Sequence, residues 1–316
     1  MNSMKLRKNA GYRFFDDFNC YKITGENCEE ILEYYLSKSV EFADEMTVNF
    51  HFALNSNAEI ISEVILYKLE DEFLFFSNNH FSQIIKEAHG LQIEELDNLN
   101  ILQIEGISSP NIISQIESEE DLETLEFKDV ISTEFAGTKI YLSRFGFTGE
   151  FGYQIILPKY KNKEIIDNVF SDISTIQIDN YTHSLFEVGH PLKKLYSSNE
   201  YNLCELGYLW NIDFTKDNFV GREKLLEQLE YSQNHIIGFK SDNIVKVDED
   251  VFFDGISVGT VILVYEDFDN KIYRGLLMLK ESFAHSNINF SLENNSIIKT
   301  LSSPYTIPES WKKDEF

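Results

Sequence analysis

Hydrophobic and polar residues alternate strictly over residues 47–54, with Val48, Phe50, Phe52 and Leu54 on one side and Thr47, Asn49 and His51 on the other. A period of two places the apolar side chains on one face, so the segment reads as a half-buried strand. Two further β-rich runs, 60–69 and 72–77, meet at Glu70 and Asp71 and predict a hairpin. The period changes to that of a helix at 27–38, where Ile31, Leu32, Tyr35 and Leu36 share a face and Thr24 or Asn27 can cap the start. Helical spacing recurs at 81–89, stopped by Gly90, and at 163–173, where Ile165, Ile166, Val169, Phe170 and Ile173 line up. A short helix fits 222–229. From His235 onward only short strands follow, at 236–240, 251–253, 258–265, 273–279 and 288–292, which predicts a small closed or sandwiched β unit. The chain therefore reads as α+β with antiparallel sheets: two α+β subdomains in 1–232, then a C-terminal β-barrel-like domain and tail in 233–316.

Composition narrows the function classes. The 316 residues, 43% hydrophobic and 14% aromatic, suffice for two or three packed units. With 53 acidic against 27 basic residues the formal charge is −26, which repels phosphate backbones and anionic lipid and argues against nucleic-acid or membrane partners. Cys20, Cys28 and Cys204 make neither a disulfide framework nor a C-x-x-C pair, as in a reducing cytoplasm. Lys5, Arg7, Lys8 and Arg13 are followed by no apolar signal core, and no apolar run approaches the ~18 residues of a membrane span. The expectation is a soluble cytoplasmic protein.

Among motifs, the run Arg144-Phe145-Gly146-Phe147-Thr148-Gly149-Glu150-Phe151-Gly152-Tyr153 stands out between two strand-like segments, 139–143 and 153–157. An ordinary hairpin does not need three glycines there, and glycines admit positive φ and close backbone approach. The signatures G-x-S-x-G, G-x-x-x-x-G-K-[ST] and H-E-x-x-H are missing, and His183 and His190, seven apart, make no trustworthy metal pair because Gly189 and Pro191 interrupt a helix there. Two carboxylates sit in apolar settings. Glu63 lies between Ile61 and Ile65 on an alternating run, and Glu187 is the only charge in Leu185-Phe186-Glu187-Val188-Gly189. A buried carboxylate requires a partner. A planar heterocycle with adjacent N–H donors, such as a pterin, is one candidate; a solvated or internally satisfied glutamate is the other reading of each.

The Arg144–Gly152 run resembles the most recognisable motif of the aminomethyltransferase (glycine cleavage T-protein) family, with Phe147 where that family usually has tyrosine. Leu185-Phe186-Glu187-Val188-Gly189-His190-Pro191 resembles its next motif. Leu203-Cys204-Glu205-Leu206-Gly207-Tyr208-Leu209-Trp210, then Phe219-Val220-Gly221-Arg222-Glu223, follow in matching order. Lys22-Ile23-Thr24-Gly25 and Gln103-Ile104-Glu105-Gly106 are similar to its earlier segments. The resemblance implies a T-protein-like arrangement around a central opening, a C-terminal barrel, and reduced folate as cofactor. It assigns Glu187 to the pterin ring and Glu63 to the catalytic position, where the family has aspartate. Lys216 falls near the family's cation for the folate tail, and Tyr67, Phe147, Glu150 and Trp210 join the expected cofactor-binding set.

The implied activity is one-carbon transfer, as a methyl, methylene or aminomethyl unit, between tetrahydrofolate (5-methyl- or 5,10-methylene-) and a small molecule. The charge disfavours an acidic lipoyl carrier protein as partner. The alternatives are a catalytically inactive folate-binding or scaffold protein of the same fold, and the iron–sulfur-assembly branch, whose motif cysteine is missing from Phe219-Val220-Gly221-Arg222-Glu223.

Overall fold

The computed structural model describes residues 4–87, 91–116, 122, 125–176, 178–267 and 271–312. The chain divides into two compact units, one formed by Met4–Ile178, Trp210–Arg222 and the chain from Pro308 on, the other by Asp179–Leu209 and Glu223–Ile307. Besides the strands after residue 232, the smaller unit takes in segment 179–209, whose helix Leu203–Leu206 packs on strand Asn234–Ser241.

In the larger unit one sheet runs, in spatial order, Ser174–Thr175, Ala10–Phe14, Leu99–Gly106, Gly152–Pro158, Thr138–Ser143 and Val130–Phe135. The other runs Thr47–Leu54, Ile60–Lys68, Phe73–Ser77, Asn19–Thr24 and Gln92–Glu95. Pairings are antiparallel, except that Ser174–Thr175 lies parallel to Ala10–Phe14. Leu102, Ile104, Tyr153 and Ile155 on the first sheet bury against Ile112 and Ile113 of helix Ser109–Ile113 and Ile165 and Val169 of helix Asn162–Val169. On the second, Val64, Leu66, Phe75 and Tyr21 bury against Leu32 of helix Cys28–Tyr35 and Phe81 and Ile85 of helix Asn79–Lys86. The opposite faces of the sheets meet through Tyr67, whose hydroxyl donates to Gln154 Oε1 at 2.5 Å and lies 3.3 Å from Ser143 Oγ. One departure from the expected half-buried strand follows from both faces being covered: Ala53 and Val64, the latter opposite His51, belong to the helix-packed core, so His51 and Ala53 are as buried as Phe52.

In the smaller unit six strands close a barrel in the order Asn234–Ser241, Ile272–Lys280, Ile256–Asp267, Asp250–Phe253, Asn289–Leu292 and Ile297–Leu301. Its core holds Phe239, Val251, Val261, Leu277, Phe290 and Ile298. The closing strand, Ile297–Leu301, has no counterpart in the pattern-based reading. Helix Ile178–Val188 likewise forms where Gly189 and Pro191 argued against one: Gly189, at φ +72, ends the helix, and the Gly189 and His190 N–H groups donate to Phe186 and Leu185 carbonyls. Helix Asn162–Val169 is shorter than its apolar spacing, and the expected helix end at His89 and Gly90 lies outside the described residues. Among the described residues, no helix is long and apolar enough to cross a membrane.

Candidate functional site

The glycine-rich run connects the paired strands Thr138–Ser143 and Gly152–Pro158, so it is a hairpin loop in the larger unit. Its interior is organised by Glu105, fully buried on strand Leu99–Gly106. The Glu105 carboxylate accepts from Thr148 N at 2.8 Å, Phe147 N at 3.2 Å and the Thr148 hydroxyl. On the other side Arg7 donates to Glu150 Oε1 at 2.8 Å and to the Thr148 carbonyl at 3.1 Å. Glu150 also accepts from the backbone N–H of Glu309 and of Ser310, each at 2.9 Å. Charge-assisted bonds of this kind are the strong ones, and they tie both ends of the unit's chain to one loop. The loop in turn presses Phe147 into an aromatic cluster, edge-on to Phe145 (5.2 Å), Phe50 (5.5 Å) and Phe15 (6.1 Å).

The structure thus gives several expected ligand-binding residues structural tasks. Glu150 anchors the loop. Tyr67 is fully buried between the sheets, where desolvation raises its phenol well above its ordinary range. Lys216 donates to the carbonyls of Glu33, Leu36 (2.6 Å) and Lys38 (3.4 Å), and lies 3.5 Å from the Glu33 carboxylate. Its charge satisfies orphan carbonyls at the C-terminal end of helix Cys28–Tyr35, with burial pulling its pKa below the usual lysine value.

Glu63 is half-buried on strand Ile60–Lys68. The register sets it opposite Phe52, on the face it shares with Ile65 and Tyr67. Trp210 is 53% exposed, with the Lys38 ammonium 5.2 Å from its ring centroid.

In the smaller unit Glu187 occupies the last turn of helix Ile178–Val188, with only 5% of its side chain exposed. A helix C-terminus disfavours a carboxylate, and the barrel strand Ile272–Lys280 supplies the compensation. Arg274 Nη1 lies 3.9 Å from Glu187 Oε1 and donates at 2.7 Å to Thr306 Oγ1, which itself donates to Oε1 at 3.4 Å. The Glu187 carbonyl accepts from Tyr305 and Thr306 N–H at 2.7 and 3.0 Å. The sequence pointed to Glu187 as a carboxylate needing partners; Arg274 and Thr306 carried no signal that could have named them. Glu105 was visible only inside a family motif, because its partners lie some 40 residues on in the chain.

The GCVT N-terminal domain model matches residues 2–216. The chain is similar to the aminomethyltransferase of Thermoanaerobacter pseudethanolicus, 24% identical over 339 residues that cover 98% of this chain and 89% of that protein. It is also similar to the aminomethyltransferase of Caldanaerobacter subterraneus subsp. tengcongensis, 23% identical over 289 residues, 83% of this chain and 75% of that protein. The crystal structure of glycine cleavage system aminomethyltransferase T from Bartonella henselae aligns with a TM-score of 0.81 at 17% identity, over 97% of this chain and 89% of that chain. That likeness shows the fold: antiparallel sheets with helices, followed by a closed C-terminal barrel.

Proposed function

Because the chain belongs to the GCVT N-terminal domain family, we propose that it is a tetrahydrofolate-dependent one-carbon transferase acting on a small-molecule substrate. The observation that carries the reading is Glu187, a carboxylate buried at a helix end with the Arg274 guanidinium 3.9 Å from it. A carboxylate has about four acceptor positions, so one fixed in this way suits the adjacent N–H donors of a pterin edge. Reduced folate supplies the one-carbon unit. The family resemblance assigns Glu187 to its pterin ring and Glu63 to the catalytic position, where a negative charge stabilises the positive charge that develops during transfer. Glu63 is half-buried among apolar neighbours, which strengthens its field relative to a solvated carboxylate.

Glu63→Gln keeps the shape and removes the charge. Turnover in a one-carbon transfer assay should fall by about a hundredfold or more while folate affinity stays within a few-fold. Unchanged turnover would remove Glu63 from the mechanism. A second reading, a folate-binding or scaffold protein without catalysis, draws on Lys216, whose charge is committed to helix carbonyls. It predicts binding without transfer.

A further inference from the structure

One short segment of the tail grips Glu187 at two places. The Glu187 carbonyl accepts from the N–H groups of Tyr305 and Thr306, at 2.7 and 3.0 Å, and the carboxylate accepts from the Thr306 hydroxyl at 3.4 Å. The segment is itself seated. The Tyr305 ring fills the space where Gly238, on strand Asn234–Ser241, would carry a Cβ, and it packs against Phe186 with ring centroids 5.2 Å apart. The Ser303 hydroxyl donates to the Val188 carbonyl at 3.2 Å. These contacts hold Thr306 beside Glu187.

Arg274 enters through Thr306. Its Nη1 donates to Thr306 Oγ1 at 2.7 Å, whereas the same nitrogen is 3.9 Å from Glu187 Oε1. The charge-assisted bond at 2.7 Å is the stronger contact, so Thr306 fixes the guanidinium more firmly than the carboxylate does. A guanidinium has donors only, and a hydroxyl has one proton. Thr306 therefore accepts from Arg274 and gives its own proton to Glu187 Oε1. Nη1, Oγ1 and Oε1 form a triangle with sides of 2.7, 3.4 and 3.9 Å, in which the guanidinium orients the hydroxyl and the hydroxyl orients the carboxylate.

Stability does not account for this arrangement. A carboxylate at a helix C-terminus faces the negative end of the helix dipole, and a buried ion pair is often no more stable than apolar side chains of the same volume. What the arrangement produces is a carboxylate held in one orientation, as a binding residue requires of the groups behind it.

We propose that Thr306 and Arg274 are positioning residues for Glu187: Thr306 sets the orientation in which the carboxylate meets the N–H donors of a ligand, and Arg274 acts through Thr306. That the ligand is a reduced folate rests on the proposed function; the coupling of the three side chains does not.

Calorimetric titration of the full chain with 5-formyltetrahydrofolate, paired with urea unfolding of the same variants, tests the proposal. Thr306→Val keeps the shape and removes the hydroxyl, so it should weaken binding about tenfold, and Thr306→Ser should restore affinity to within about twofold of wild type. Arg274→Gln should weaken binding about tenfold alone but less than about twofold when added to Thr306→Val, because both act along one chain. In urea without ligand, a double-mutant cycle between Thr306→Val and Glu187→Met should show a coupling of about fivefold in the unfolding equilibrium constant. Undiminished folate affinity in Thr306→Val, equal losses in Thr306→Ser and Thr306→Val, losses that multiply in the double variant, or an additive cycle would overturn the proposal and leave the proposed function standing. Coupling in the cycle with no folate binding by wild type would overturn the proposed function and leave Thr306 orienting Glu187 for another ligand.

Discussion

Gly146 and Gly152 face each other across the loop with no room for a Cβ on either: one built on Gly152 would lie 2.5 Å from Gly146 Cα, and one on Gly146 would lie 2.8 Å from Gly152 Cα. Two of the three glycines in the run therefore serve close approach, and only Gly149, at φ +77, serves a left-handed turn. The contact brings the loop onto the Glu105 carboxylate, which lies 3.2 Å from the Cβ position of Gly146.

Gly152→Ala must displace backbone, so it should cost about 2–4 kcal/mol. Gly137 is the control. It has a left-handed φ of +70 but nothing within 4 Å of its Cβ position, so Gly137→Ala should cost only about 1 kcal/mol. Urea midpoints of the two variants measure the difference, and equal losses would show that the close approach carries no weight.

Glu105→Gln tests the loop from the inside. The glutamine amide replaces an acceptor with a donor opposite the Phe147 N–H and the Thr148 N–H and hydroxyl. The loss should be about 2–3 kcal/mol by denaturant unfolding. Because Phe147 is seated by this loop, its near-ultraviolet aromatic circular dichroism should change with it.

Lys38 should carry a stability cost that depends on pH. Its folded pKa, about 8, is below the ordinary 10.5, so between those values the unfolded chain binds more protons and stability rises with pH. Below about 8 the full cost of the charged form is present. Lys38→Met should therefore stabilise the protein at pH 7 by about 1 kcal/mol, a figure discounted for the partial exposure of the side chain. The gain should vanish as pH passes 10.5. Thermal melts of both proteins across that range provide the check.

Lys216→Met removes the ammonium from the end of helix Cys28–Tyr35, leaving the Leu36 carbonyl and the Glu33 carboxylate without it. A loss of about 2–3 kcal/mol in denaturant unfolding is expected. Folate affinity should remain within a few-fold, since the charge already serves the protein.

Much of this architecture was legible because its strands obey a simple period. Thr47–Leu54, the hairpin of Ile60–Lys68 and Phe73–Ser77, and most barrel strands alternate cleanly between turn residues. Leu99–Gly106 was not read as a strand although Leu102 and Ile104 alternate with Gln103 and Glu105; what the alternation could not show is that the polar pair is buried too. Ile297–Leu301 is short and interrupted by Lys299, and its pairings with Asn234–Ser241 and Asn289–Leu292 define it. At the candidate site, Glu63 and Glu187 were visible as charges in apolar runs. The tasks of Glu150 and Lys216 were not, since Arg7, Ser310 and the Leu36 carbonyl reach them from more than 140 residues away. Lys38 lies in a polar connector, where a lysine carries no signal until the fold surrounds it.

The central claim is that Glu187 grips a reduced folate, and calorimetric titration with 5-formyltetrahydrofolate tests it most directly. Wild type should bind saturably, and Glu187→Ala should bind about a hundredfold more weakly, ~2.7 kcal/mol for loss of a charge-assisted pair of N–H bonds. No saturable binding by the folded wild-type chain, or undiminished affinity in Glu187→Ala, would contradict it.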